Sequence, residues 1–212
     1  MTDVTLFDFW RSSASYRLRI ALHLAGIEYD SVAVDLPTRQ HKTPEHLARN
    51  PQGFVPVLDV DGHRFTQSLA MLEYLDTTRN LGLLPKDPVE RARQQALAHA
   101  IAVDIHPVCN LQVAAYAVEI TGREEVRQEW MQRFIRPGMV AFEEMLGAFE
   151  QSPFCCGDTP GLADICLMPQ LYNAERWGAQ TDDLPRVTAV AAACAAHPAF
   201  AASHPDKWKP AG

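Results

Sequence analysis

Apolar residues recur with two different periods in the first part of the chain. Residues 4–9 (VTLFDF) form a short run rich in strand formers. From residue 15 to 26, Leu18, Ala21, Leu22 and Ala25 instead fall on one helical face that stops at a glycine. Residues 29–34 read as a second strand, which a right-handed crossover makes parallel to the first. Residues 57–60 and 63–66 flank Asp61-Gly62, a dipeptide that favours a tight antiparallel hairpin. A helix starting at Gln67 then carries Leu69, Leu72 and Leu75 on one stripe. The predicted order is β-α-β, a connecting stretch, then β-β-α.

The connecting stretch ends in Asn50-Pro51-Gln52-Gly53-Phe54-Val55-Pro56. Pro56 stands directly before a strand and cannot donate to a ladder, so its ring suits an edge, a bend or a cis bond. Cis X-Pro bonds are about one in twenty, so the residues leave the choice open. Residues 80–88 (NLGLLPKDP) are turn formers, and beyond them strand patterns vanish. Residues 89–116, 124–150, 162–177 and 184–196 are helical in pattern, with Pro107 a kink or break in the first. The expected organisation is an α/β domain over residues 1–81, a linker over 82–88 and an all-α bundle over 89–212.

A chain of 212 residues suits two small domains, and 47% apolar with 21% charged residues is ordinary globular composition. The net charge of −7 disfavours nucleic acid and acidic membrane surfaces as partners and favours small-molecule chemistry. The opening residues carry Asp3 and no long apolar run, so no secretory signal or membrane anchor is expected and the cytoplasm is the expected location. Five cysteines with no CxxC and no pairing with histidine read as structural thiols, with no metal site.

Two places combine a helix start with hydroxyl groups. The first is Arg11-Ser12-Ser13-Ala14-Ser15, where a strand gives way to a helix. Unpaired N–H groups and the partial positive charge of a helix N-terminus stabilise an anion, a thiolate included. A hydroxyl donor beside them would raise the reactive fraction of a thiol whose pKa is roughly 8.5. Capping alone would account for one serine but not for the cluster. The second place is Gln67-Ser68, where a helix start, a hydroxyl and an amide can together hold a carboxylate; Ser68 is also an acceptable cap.

The strings FWRSSASYRLRIAL, NPQGFVPVLDVDG, QSLAMLEYL, LLPKDP, DIHPVCNLQV, FCCGDTPGLADICLMPQ and NAERW stand in the order found in the zeta class of glutathione transferases and cover nearly the whole chain, which resembles that family. The resemblance implies a thioredoxin-like N-terminal domain that binds glutathione as cofactor and an all-α C-terminal helical bundle that contributes to binding an acidic substrate. It implies a homodimer.

Residue by residue, the resemblance makes Ser12 the donor to the glutathione sulfur, with Ser13 its neighbour and backup. Val55, before a cis proline, pairs with the cysteinyl backbone; Gln67 and Ser68 hold the γ-glutamyl end; His41 lies near the glycine end. His106 and Asn110 line the cleft from the helical domain, although a polar pair beside Pro107 also suits a helix cap. Arg11 and Arg176 would grip the carboxylates of a small dicarboxylic acid, a task bidentate guanidinium groups suit; arginines are otherwise mostly surface ion-pair partners.

Ala14 departs from the family, which usually has cysteine there; a hydroxyl rather than that thiol is the expected activator, so activity is expected to survive the change. Gln112 stands where maleylpyruvate-type relatives often have arginine. Asp164 matches the capping motif of the fold, with Gly161 in place of the usual serine or threonine, and is read as structural. The activity implied is isomerisation of maleylacetoacetate to fumarylacetoacetate by reversible thiolate addition. Maleylpyruvate isomerisation, conjugation or dehalogenation of α-halo acids, and a non-catalytic binding module are the alternatives.

Overall fold

The computed structural model describes residues 3–210, and the chain divides into two compact units. One runs up to Leu81 and also takes the stretch from His197 onward; the other spans Gly82–Ala196.

The first unit is built on four strands in the order β2-β1-β3-β4. Strand β1 (Thr5–Asp8) is followed by α1 (Ser13–Leu24), and β2 (Asp30–Ala33) returns parallel to β1. After a short 3-10 turn (Gln40–Lys42) and α2 (Pro44–Arg49), β3 (Val57–Val60) lies antiparallel to β1 and pairs with β4 (His63–Phe65). The Asp61-Gly62 turn has φ of 53° and 74°, the pair of positive values that a two-residue hairpin of this twist requires. Helix α3 (Ser68–Arg79) closes the unit's first stretch. Leu6, Leu18, Ile20, Leu22, Leu58, Met71, Leu72 and Leu75 are buried and make its core. This is the thioredoxin-like architecture expected.

Helix α2 was not expected from the pattern. Thr43 accepts from the His46 N–H, Pro44 takes the first helical position and Glu45 the first turn, so the start signals are present. The helix is too short for a hydrophobic period to show.

The second unit is all-helical: α4 (Pro88–His99), a π-helical stretch (Ala100–Ile105), α5 (His106–Val108), α6 (Leu111–Thr121), α7 (Val126–Leu146), α8 (Leu162–Trp177) and α9 (Pro185–Ala196). The helix expected over residues 89–116 is therefore interrupted, at the wide π turn and again at Cys109–Asn110, just after Pro107. The run Pro88–Thr121 is apolar enough in length and composition to cross a bilayer, but it is broken in two by this break and is not one straight helix. At Gly138 of α7 a Cβ would lie 2.5 Å from Ile105 Cδ1, so a larger residue there would have to displace the Ile105 side chain of the π stretch.

Two of the expected limits shift. The stretch 82–88 belongs to the helical unit rather than standing as a linker: Leu83 is buried and its carbonyl accepts from the Leu162 N–H at 2.9 Å, at the start of α8. At the other end, α10 (Pro198–Ser203) and a 3-10 turn (Pro205–Lys207) leave the helical unit, and α10 packs on α1 of the first. All five cysteines are free thiols.

Candidate functional site

In the first unit, α1 begins earlier than its apolar stripe because Ser12 caps it. The Ser12 Oγ accepts from the Ser15 N–H at 3.2 Å, and the Ser12 N–H is tied to the Phe9 carbonyl at 2.9 Å. Accepting uses a lone pair and leaves the hydroxyl proton free to donate elsewhere. Ser15 is fully buried and its Oγ accepts from the Phe9 N–H at 3.4 Å, so it is a structural member of the cluster. Ser12, Ser13 and Ala14 are half-buried, and the Ala14 N–H has no acceptor among the described residues.

Beside this turn, the Arg11 guanidinium lies over the Trp10 ring at 5.2 Å. Its Nε is buried without a hydrogen-bond partner, and no carboxylate pairs with it among the described residues. A cation left in that state offers its charge to an anionic ligand.

The loop before Val55 is held from inside. The His46 ring and the Asn50 amide both meet the Phe54 carbonyl at 3.0 Å, and the Gly53 N–H donates to the Asn50 carbonyl at 2.8 Å. Gly53 has φ of 64°, and a Cβ there would lie 2.8 Å from the His41 carbonyl, so no other residue fits without displacement. The Val55-Pro56 bond is cis. Val55 packs against Phe7, Val34 and Val57, while its N–H and carbonyl make no hydrogen bond among the described residues. An open backbone donor and acceptor on one residue suit antiparallel pairing with a short peptide.

At α3, Gln67 has φ of 70°, uncommon for a residue with a side chain, and its amide donates to Gln52 Oε1 at 2.7 Å. The N–H groups of Ser68, Leu69 and Ala70 have no acceptor among the described residues. Ser68 Oγ accepts from the buried Arg17 at 3.2 Å, which brings a guanidinium from α1 to the start of α3. Three open N–H groups and a guanidinium behind Ser68 at one helix start are an arrangement that suits an anion.

His41 stands in the 3-10 turn, with its Nδ1 buried and unpartnered. Burial, followed by the charges of Lys42, His46 and Arg39, holds its pKa below the ordinary histidine value, so at neutral pH the ring is uncharged. Lys42 donates to the Gln52 carbonyl at 3.2 Å and has no carboxylate partner among the described residues. Arg17, Lys42 and Gln52 were not read from the sequence: Arg17 sits on a buried helix face where charge is unexpected, and Lys42 and Gln52 carry no motif beyond adjacency to His41 and Gly53.

In the second unit, Asn110 caps α6, its Oδ1 accepting from the Gln112 N–H at 2.9 Å. The capping role weighed for this position is thus filled, with the amide nitrogen left over. His106 is half-buried in α5, four positions before Asn110. Arg176 is exposed in the last turn of α8, its guanidinium 4.7 Å from the Trp177 ring centre. Asp164 accepts from the Gly161 N–H at 2.8 Å and the Cys155 N–H at 2.9 Å, a structural carboxylate at the start of α8. Among the described residues, no group of three or more potential metal ligands exists.

A thioredoxin-like unit with an open peptide-pairing residue and two helix starts, each with an open backbone N–H and a serine hydroxyl, suits a small thiol peptide carrying carboxylates. Residues 2–77 match the family model described as the glutathione S-transferase N-terminal domain. The chain is 54% identical over 210 residues to the maleylacetoacetate isomerase of Rhizobium meliloti strain 1021, covering 98% of this chain and 99% of that one. Among solved structures, the maleylacetoacetate isomerase of Methylobacterium extorquens AM1, with malonate and glutathione bound, superposes with a TM-score of 0.91 at 37% identity, covering 98% of this chain and 100% of that one. A holo maleylpyruvate isomerase, a bacterial zeta-class glutathione transferase, gives a TM-score of 0.89 at 37% identity, covering 95% and 96%.

The chain belongs to the glutathione transferase family, in its zeta class. Relatives that span nearly its full length include maleylacetoacetate and maleylpyruvate isomerases, and solved structures among them hold glutathione, the cofactor of the family.

Proposed function

We propose that this protein is a glutathione-dependent cis-trans isomerase that converts maleylacetoacetate to fumarylacetoacetate. The observation that carries the reading is the start of α1, where the Ser12 hydroxyl and an open backbone N–H stand beside the unpaired Arg11. Glutathione, when bound, supplies a thiol whose reversible addition turns a cis double bond into a rotatable single bond.

The chain's own residues do the rest. Ser12 donates its O–H to the sulfur and, with the α1 dipole, favours the ionised thiol; Ser13 is its neighbour and backup. Val55 pairs with the cysteinyl backbone. Gln67, Ser68 and the open N–H groups of α3 hold the γ-glutamyl carboxylate, with Arg17 adding charge behind Ser68. Neutral His41 and Lys42 take the glycine end. His106 and Asn110 add polar contacts from the helical unit. Arg11 and Arg176 are assigned the substrate carboxylates and the negative charge that develops on the conjugated carbonyl.

The reading includes a cytoplasmic homodimer acting in aromatic amino-acid breakdown.

The test is a rate comparison of purified protein with maleylacetoacetate, maleylpyruvate and an α-halo acid, each with glutathione. The expected order places maleylacetoacetate first by kcat/KM. A higher kcat/KM for maleylpyruvate moves the assignment to that substrate, and halide release as the fastest reaction moves it to a dehalogenating transferase.

A further inference from the structure

Arg19 is fully buried, and its single guanidinium joins three segments of the first unit. Nη1 meets Asp8 Oδ2 at 2.5 Å at the end of β1, Nη2 donates to the Trp10 carbonyl at 2.7 Å, and Nε donates to the Ser203 carbonyl at 3.3 Å at the end of α10. The group also lies 5.5 Å from the Trp208 ring centre.

The Trp10 contact bears on chemistry because Trp10 directly precedes Arg11 and Ser12. Among the described residues, the bond from Arg19 is the one hydrogen bond that Trp10 and Arg11 make. The Trp10 ring also has two cations near it, Arg11 at 5.2 Å and Lys209 of the C-terminal stretch at 5.9 Å. The turn is closed at its ends by the Ser12 N–H on the Phe9 carbonyl, and the Arg19 bond is the tie that sets the orientation of its central peptide. Hydrogen bonding to a thiolate depends steeply on the donor's placement.

We propose that Arg19 is a positioning residue for glutathione activation: by fixing the Trp10 carbonyl it aims Arg11 and the Ser12 hydroxyl, and the C-terminal stretch from α10 to Lys209 is the other half of the brace. The inference rests on the assignment of Ser12 as the thiol's donor. A lysine in place of Arg19 keeps the charge but cannot reach Asp8, Trp10 and Ser203 with one planar fork.

The experiment is a pH titration of the thiolate ultraviolet absorbance of bound glutathione, with kcat and KM, in wild type, Ser12→Ala, Arg19→Lys and the double variant Asp8→Asn/Arg19→Met. The double variant exchanges the buried ion pair for neutral side chains of similar size, a change buried pairs often tolerate, and it supplies the readout if Arg19→Lys does not fold. The expected result for the Arg19 variants is a titration midpoint raised by about one unit toward the free thiol value of roughly 8.5. With it, kcat should fall about tenfold while KM for glutathione stays within about threefold. A raised midpoint in Ser12→Ala beside wild-type midpoints in the Arg19 variants overturns this inference alone. An unshifted Ser12→Ala protein overturns the Ser12 assignment and this inference with it.

Discussion

The serine turn was legible residue by residue because its chemistry is local. Ser12 caps α1 through its Oγ and still has a proton to give, so the cap leaves the proposed donor role open to it. What the sequence hid is charge in the interior. Asp8, Arg17 and Arg19 are all buried, at positions where a hydrophobic pattern places charged residues outside. Each is explained only by a partner distant in the chain, as Arg17 is by Ser68. Arg176 is the opposite case, exposed and recognisable only through its NAERW string. If it grips a substrate carboxylate, Arg176→Gln should lower kcat/KM for maleylacetoacetate about 10- to 100-fold, the worth of a charge-assisted pair, with glutathione affinity unchanged in calorimetry. Arg176→Lys should fall between, since it keeps the charge but loses the fork.

Among elements, those with a long period or a strong turn signal were read correctly: the β1-α1-β2 unit, the Asp61-Gly62 hairpin, and helices α7, α8 and α9. Those governed by a short cap or by tertiary contact were not: α2, the π stretch and the break before α6. Helix α8 shows how a weak cap is repaired. Gly161 has no side chain to offer, and Asp164 reaches back to the Gly161 N–H while its other oxygen takes the Cys155 N–H.

Burial holds the Asp164 carboxyl above the ordinary carboxylate range, against the pull of these hydrogen bonds. A group whose folded pKa is raised contributes stability that is complete below its unfolded value of about 3.9 and is lost as pH rises through the folded value. Urea unfolding of wild type and Asp164→Asn should therefore show the wild type losing ground to the variant as pH rises from about 4, with the difference constant once Asp164 is ionised in both states.

For the whole molecule, the division between the two units falls at Leu81 and Gly82, within the turn-rich stretch before Pro88. The return of the chain end to the first unit had no sequence signal, because α10 is short and its polar tie to α1 runs through one residue, Ser203, whose carbonyl accepts from Arg19 and whose hydroxyl meets the His23 ring. At this scale the account makes glutathione a cofactor that is returned at each cycle. The deciding measurement is the number of maleylacetoacetate molecules converted per glutathione, with substrate in large excess and the free thiol titrated at the end. The account predicts many turnovers per glutathione, an undiminished thiol pool and no conversion without glutathione. Conversion that stops at one equivalent with the thiol consumed, or that proceeds without glutathione, would contradict it.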